Sequence, residues 1–289
     1  MKLPEECNLE STKEFFLSAG GTDFNYLSAH FERFVATVEF AMKSSCKERL
    51  LDIGCHWLHQ AYFFAQRGFR ITGADAPNTL QEPQVRTAAE RLRISLISYR
   101  RLDLGEGLNT IPDNSVDTII FSEIIEHLAF NPIILWREIY RILASGGKII
   151  VTTPNSAYYK SLINNLSRLA VHGITGIALQ DIFGIGTYGH HWKEFNLGEL
   201  QQYFQMLTPE FRIEDFAVVT LGKDAVHERD NAAKIIFGHD DFSVEIAAEA
   251  LRRAEDLSLF PFGSQIFAAV TLVKTHGGGI RISPPWLVE

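Results

Sequence analysis

Several things are scarce in this chain, and each scarcity closes off a class. Cysteine occurs three times in 289 residues, as Cys7, Cys46 and Cys55. That is too few and too scattered for a disulfide framework or a zinc knuckle, and it points to a reducing compartment. No stretch of eighteen apolar residues exists, and the opening Met1-Lys2-Leu3-Pro4-Glu5-Glu6 has no apolar signal core. The expectation is a soluble, cytoplasmic protein with no membrane partner. No block of five Lys or Arg occurs, and the formal net charge is −8, so a nucleic-acid partner is not expected and a small or neutral substrate fits better. Internal repeats are absent. Glycine is missing at one telling place: Gly54 has no second glycine two residues on, which argues against the G-x-G-x-x-G turn of a nicotinamide oxidoreductase.

Apolar residues are plentiful, at 46% of the chain, enough to bury a full core for one α/β domain with additions. The organising stretch runs from Arg49 to Asp75. Leu50-Leu51 makes a buried strand closed by Asp52 and Gly54, Ala61 to Ala65 makes a helix, and Phe69-Arg70-Ile71 starts a second strand that ends at Asp75. An acid about twenty residues past the first turn is where a nucleoside-binding fold places its ribose ligand. Further strands are predicted over Ile94 to Arg101, Ser115 to Ser122 and Lys148 to Thr153, alternating with helices over Glu82 to Arg93 and Asn131 to Leu143, the last stopped by Gly146-Gly147. Five alternating strands imply a parallel sheet wound on both sides, with ligands at the carboxyl ends. Two more strands are predicted over Phe211 to Leu221 and Ser264 to Thr275, and a capping box at Asn196 opens a helix between them and the fifth strand.

Upstream of this core, Ser11-Thr12-Lys13-Glu14 reads as a capping box, and a longer helix starts near Thr22. Its apolar positions Phe24, Leu27, Phe31, Phe34, Val35, Val38 and Met42 form one stripe. Tyr26 and His30 sit beside the stripe, placed to reach over a nucleoside pocket. Residues 157 to 189 read as a helix followed by a glycine-rich loop. About forty residues before the last strand are helical by propensity. The tail from His276 has no core-forming pattern and is expected to be loose.

The order of these signals resembles a class I S-adenosylmethionine-dependent methyltransferase. The matching stretches are Leu50-Leu51-Asp52-Ile53-Gly54-Cys55, Thr72-Gly73-Ala74-Asp75, Ser115-Val116-Asp117, Ser122-Glu123-Ile124-Ile125-Glu126-His127-Leu128, Thr153-Pro154-Asn155 and His191-Trp192-Lys193-Glu194-Phe195. The resemblance implies a doubly wound, mostly parallel seven-stranded sheet of the Rossmann-like methyltransferase kind. It would carry an N-terminal helical lid (1–46), a methyltransferase domain (47–275) with a helical insertion (about 222–262) before the last strand, and a tail (276–289). It also implies S-adenosylmethionine as cofactor. The bend at Asp52, Gly54 and Cys55 would approach the methionine moiety, with Ser122 and Glu123 lining that side. Asp75, followed by Ala76, would bind the ribose, Asp103 would accept from the adenine amino group with Leu104 beside the ring, and Tyr26 would reach in from the lid. One departure stands out. Two further glycines usual in the family's first motif are replaced by His56 and Leu58, side chains expected to fill space where the cofactor normally approaches.

A sulfonium methyl is already activated, so the protein must mainly align three atoms and, for a hydroxyl acceptor, remove a proton. His127, His190 and His191 are the candidate bases. The expected activity is methyl transfer to a small molecule, with a hydroxyl of a sugar or secondary metabolite as acceptor. Two alternatives remain: a methyltransferase-like fold that lost catalysis and serves as a binding module, and a metal-dependent enzyme. Glu123, Glu126 and His127 at i, i+3 and i+4, with His190 or His191, resemble the set in metal-dependent RNA 2′-O-methyltransferases. The expected site holds no metal.

Overall fold

The computed structural model describes residues 8–158, 191–221 and 263–282. The glycine-rich loop around 174–189, His190 and the insertion at 222–262 lie outside the described residues. Among the described residues no helix is long and apolar enough to cross a membrane.

Five strands run parallel at the heart of the molecule: β1 (Arg49–Ile53), β2 (Arg70–Asp75), β3 (Ser95–Ser98), β4 (Val116–Ser122) and β5 (Leu143–Pro154). Two later strands, β6 (Phe211–Val219) and β7 (Gln265–Leu272), complete a seven-stranded sheet in the order β3-β2-β1-β4-β5-β7-β6. β7 lies antiparallel to both its neighbours, and all eight of its residues are buried. The last described strand, β7, therefore lies inside the sheet, between β5 and β6.

Helices cover both faces because the strands are apolar on both faces. On one side α1 (Leu9–Ser18), α2 (Phe24–Lys43), α3 (His59–Ala65) and α5 (Pro83–Leu92) bury Phe16, Phe34, Phe63, Phe64 and Val85 against Leu50 and Ile120. A short α4 (Pro77–Leu80) precedes α5. On the other side α6 (Ile133–Ile142) and α7 (Leu197–Leu207) pack around Trp136, which is fully buried with its indole N–H donated to the Tyr203 hydroxyl at 2.6 Å.

Several boundaries differ from the sequence expectation, each for a local reason. The cap of α1 is Asn8, whose side chain accepts from the Ser11 backbone N–H, so Ser11 is the third residue of the helix and not its start. The helix expected to continue to Leu143 ends at Ile142, because Leu143 pairs with Val116 and opens β5 ahead of the two glycines. The tail, expected to be loose, is held as far as Ile282. Glu210 accepts from the Thr275 hydroxyl and backbone N–H, Ile280 packs on the core, and Arg137 donates to the Ile282 carbonyl at 3.1 Å.

Candidate active site

The carboxyl end of β1 is shaped by three left-handed residues. Gly54, His56 and Leu58 have φ of 78°, 47° and 66°, so the chain turns sharply before Leu58 caps α3. Only the first is glycine, and its Cβ would collide with the Ile124 side chain. A left-handed residue with a side chain costs roughly 1–2 kcal/mol, so His56 and Leu58 hold a bend for which their types are ill suited. The Leu58 side chain, expected to crowd the cofactor, turns instead into the core and is fully buried. His56, half-buried, does line the pocket.

Asp75 meets this bend as the strand register requires. One carboxylate oxygen accepts the His56 backbone N–H and the other that of Ala76, both at 2.6 Å, while Gly54 N–H donates to the Ala74 carbonyl at 2.8 Å. Burial pushes Asp75 above the usual carboxylate range. Asp52 is only 2% exposed, and its Oδ2 accepts no hydrogen bond. Burial, and then the neighbouring charge of Asp75, push its pKa up to about 8.

A cavity of about 30 Å³ lies between this bend and α2, with Tyr26, Arg33, Asp52, Gly54, His56 and Ser122 on its walls. That is about one water's share of liquid volume, so α2 sits closely over the bend. Cys55 also lines the cavity and is buried beside Gly73. The Tyr26 ring stands 5.0 Å from that of His56, and its hydroxyl accepts from Arg33 at 3.2 Å. His59 lies beneath, Nε2 2.6 Å from the Thr22 hydroxyl, and burial drives its pKa down to about 3.

Past β4 the chain supplies a second group of side chains. Glu123 adopts φ 54° and pairs with Arg33 at 3.0 Å, while Oε1 accepts from Thr152 at 2.8 Å and Gln265 at 2.5 Å. The helical turn expected to aim Glu123, Glu126 and His127 one way spans only Ile125–His127 as a 3₁₀ turn. Glu123 precedes it in the left-handed region and points to Arg33 instead. Ser122 shares a 2.6 Å hydrogen bond with Thr152.

Glu126 is fully buried; Oε2 accepts from Thr153 at 3.0 Å, whereas Oε1 accepts no hydrogen bond. Burial, and then the charge of Glu123, push its carboxyl well above the usual range. Its backbone carbonyl accepts from Trp192 at 2.7 Å, which draws His191 to His127, ring centres 4.8 Å apart. Glu194 holds His191 Nδ1 at 2.9 Å. One ligand-type atom each from Glu126, His127 and His191 lie within 4.8 Å of one another. Asp103 and Leu104 stand apart, on a 3₁₀ turn (Leu102–Leu104) after β3, with the Asp103 carboxylate gripped by Arg101 at 2.7 and 2.9 Å. That pairing holds Asp103 below the usual carboxylate range, and Leu104 is half exposed.

Residues 51–151 match a family model described as a methyltransferase domain. The chain is 26% identical over 226 residues, 78% of its own length and 71% of the other's, to a protein of Mycolicibacterium smegmatis that carries the name probable S-adenosylmethionine-dependent methyltransferase. The chain carries a methyltransferase domain and is similar to S-adenosylmethionine-dependent methyltransferases. Solved methyltransferases share its fold. One chain of the complex between the Haloferax volcanii Trm112 methyltransferase activator and a methyltransferase superposes with TM-score 0.53 at 17% identity, covering 91% of this chain and 99% of that one. A SAM-dependent methyltransferase from Archaeoglobus fulgidus gives 0.50 at 17% identity, with 86% and 100% covered.

The residues of this methyltransferase suit its cofactor's ionic end. A desolvated carboxylate with an unused oxygen, Asp52 Oδ2, is the acceptor an ammonium group needs. Arg33, His59 and Gln60, all on the cavity wall, escape a reading of sequence alone. A signal was there for Arg33: Tyr26, His30, Arg33 and Thr37 run at intervals of four, three and four along α2, a polar line beside the apolar stripe.

Proposed function

We propose that this methyltransferase transfers its methyl group to a hydroxyl of a small molecule, a sugar or secondary metabolite, docked against His127 and His191. What supports the acceptor side is the meeting of two imidazoles, 4.8 Å between ring centres, beside a buried carboxylate. On the cofactor side Asp52 takes the methionine ammonium, Gly54 and Cys55 let the backbone approach, and Ser122 closes the methionine end. Asp75, with Ala76 N–H fixing its carboxylate, takes the ribose, while Asp103 and Leu104 take the adenine.

Bound S-adenosylmethionine would supply an already activated methyl with a neutral thioether as leaving group. The imidazoles of His127 and His191 would hold the acceptor hydroxyl and take its proton. Glu194 on Nδ1 leaves Nε2 of His191 as the nitrogen free to take it. His191→Ala is expected to lower kcat by about a hundredfold while S-adenosylhomocysteine affinity stays within about twofold. Single-turnover kinetics and calorimetric titration measure the two; lost affinity with unchanged kcat would demote His191 to a structural role.

The same cluster favours a second reading. One carboxylate oxygen and two imidazole nitrogens within 4.8 Å can hold a divalent cation with positions left for an acceptor hydroxyl. Metal analysis of purified protein and assays after chelation separate the two, since the base mechanism is indifferent to chelator.

A further inference from the structure

Five buried polar atoms without a hydrogen bond belong to residues on the walls of one small cavity: Arg33 Nε, Asp52 Oδ2, His56 Nδ1, His59 Nδ1 and Gln60 Oε1. A buried polar group left unsatisfied is destabilising, so such a concentration marks a place shaped for a polar ligand. The set includes a carboxylate to receive an ammonium and a guanidinium edge to receive a carboxylate. That is the complement of an α-amino acid.

Arg33 has only part of its donor fork free. Nη1 is spent on Glu123 at 3.0 Å and Nη2 on the Tyr26 hydroxyl at 3.2 Å. Glu123 itself is well held, by Thr152 and Gln265 on its other oxygen, and it comes from the β4 end of the sheet while Arg33 comes from α2. The pair therefore pins α2 over the bend, with side chains only 10% and 15% exposed and a cavity of about 30 Å³ beneath.

We propose that Glu123 is an internal stand-in for the cofactor's carboxylate: it holds Arg33 and keeps α2 latched over the bend until the amino-acid end of S-adenosylmethionine takes Arg33 from it. The proposal rests on the reading of this cavity as the methionine side of the cofactor site. Nucleoside and amino-acid ends can be separated with two ligands, S-adenosylhomocysteine and 5′-methylthioadenosine, which lacks the carboxylate and ammonium.

Calorimetric titration of both ligands into the full chain tests it. Glu123→Gln removes the competing charge and tightens S-adenosylhomocysteine by about fivefold or more. Arg33→Met weakens it by about tenfold or more, the loss of one charge-assisted pair. In the Arg33→Met background Glu123→Gln has no further effect. 5′-Methylthioadenosine stays within about twofold throughout. Equal weakening of both ligands by Arg33→Met, or no gain from Glu123→Gln, overturns the latch and leaves the nucleoside site standing. Failure of both ligands to bind the wild-type chain overturns the latch together with the site it rests on. Should Arg33→Met alone fail to fold, the neutral double variant Arg33→Met/Glu123→Gln takes its place against Glu123→Gln.

Discussion

Asp52, the proposed ammonium ligand, shows what burying a carboxyl does to the protein that carries it. Its carboxyl is fully enclosed and its pKa rises from 3.8 to about 8, so the folded chain binds a proton there that the unfolded chain has released. Between those two values the unfolded state binds fewer protons, and stability falls as pH rises. Asp52→Asn should therefore stabilise the ligand-free protein at pH 7.5 by roughly 1–3 kcal/mol, flatten its stability from about pH 4 to pH 8, and weaken S-adenosylhomocysteine by about tenfold or more. Urea titrations across pH and calorimetry check each part; a less stable variant would mean the carboxylate is already satisfied. His56 makes a companion case. Its φ of 47° and its place on the cavity wall predict that His56→Gly relieves backbone strain and tightens cofactor binding, and weaker binding would show that the imidazole contributes a contact. Asp52, Gly54 and Asp75 are legible from sequence because acids and a glycine at strand ends say where a backbone must bend. Arg33 is not, because its burial depends on Glu123, ninety positions away and turned toward it by a left-handed residue.

At the level of elements, helices and strands are legible wherever periodicity and caps agree, as in α2 and α7. Asn196 accepts from the Glu199 N–H at 2.9 Å and Glu199 accepts from the Asn196 N–H at 3.1 Å, the reciprocal pairing that a capping box promises. Asn196→Ala should cost about 1 kcal/mol in urea denaturation and leave S-adenosylhomocysteine affinity unchanged, since α7 stands on the sheet face opposite α2. Lost affinity in that variant would reveal a coupling between the two faces. Legibility fails where one element's limit is set by another. The start of β5 at Leu143 is decided by its partner Val116, against the stop signal of two glycines. The 3₁₀ turn at Ile125–His127 likewise breaks a spacing that reads as helical, which is why the acid at Glu123 parts company with Glu126.

Across the whole molecule, α2, α3 and the bend leading into α3 carry three histidines whose protonation burial disfavours: His30 and His56 are held below the usual imidazole range, and His59 falls to about 3. The unfolded chain takes protons at these positions near the ordinary 6.5, so their stability is complete above that pH and is lost as pH falls towards 3. Asp52 contributes the opposite slope, so the histidine contribution is read by difference: the urea-midpoint gap between wild type and His59→Gln should change between pH 7 and pH 5, with the wild type losing ground as pH falls. A gap that stays constant over this range would show the His59 imidazole already charged in the folded state. The order of the sheet has a different consequence. β7 fills the slot between β5 and β6 with every residue buried, yet the ribosome makes it late. A nascent chain halted near Gly263 has two ledges of unpaired backbone and nothing to bridge them, a sticky target for chaperones and for its own kind. The emerging polypeptide must keep that gap guarded until translation delivers the strand that closes it.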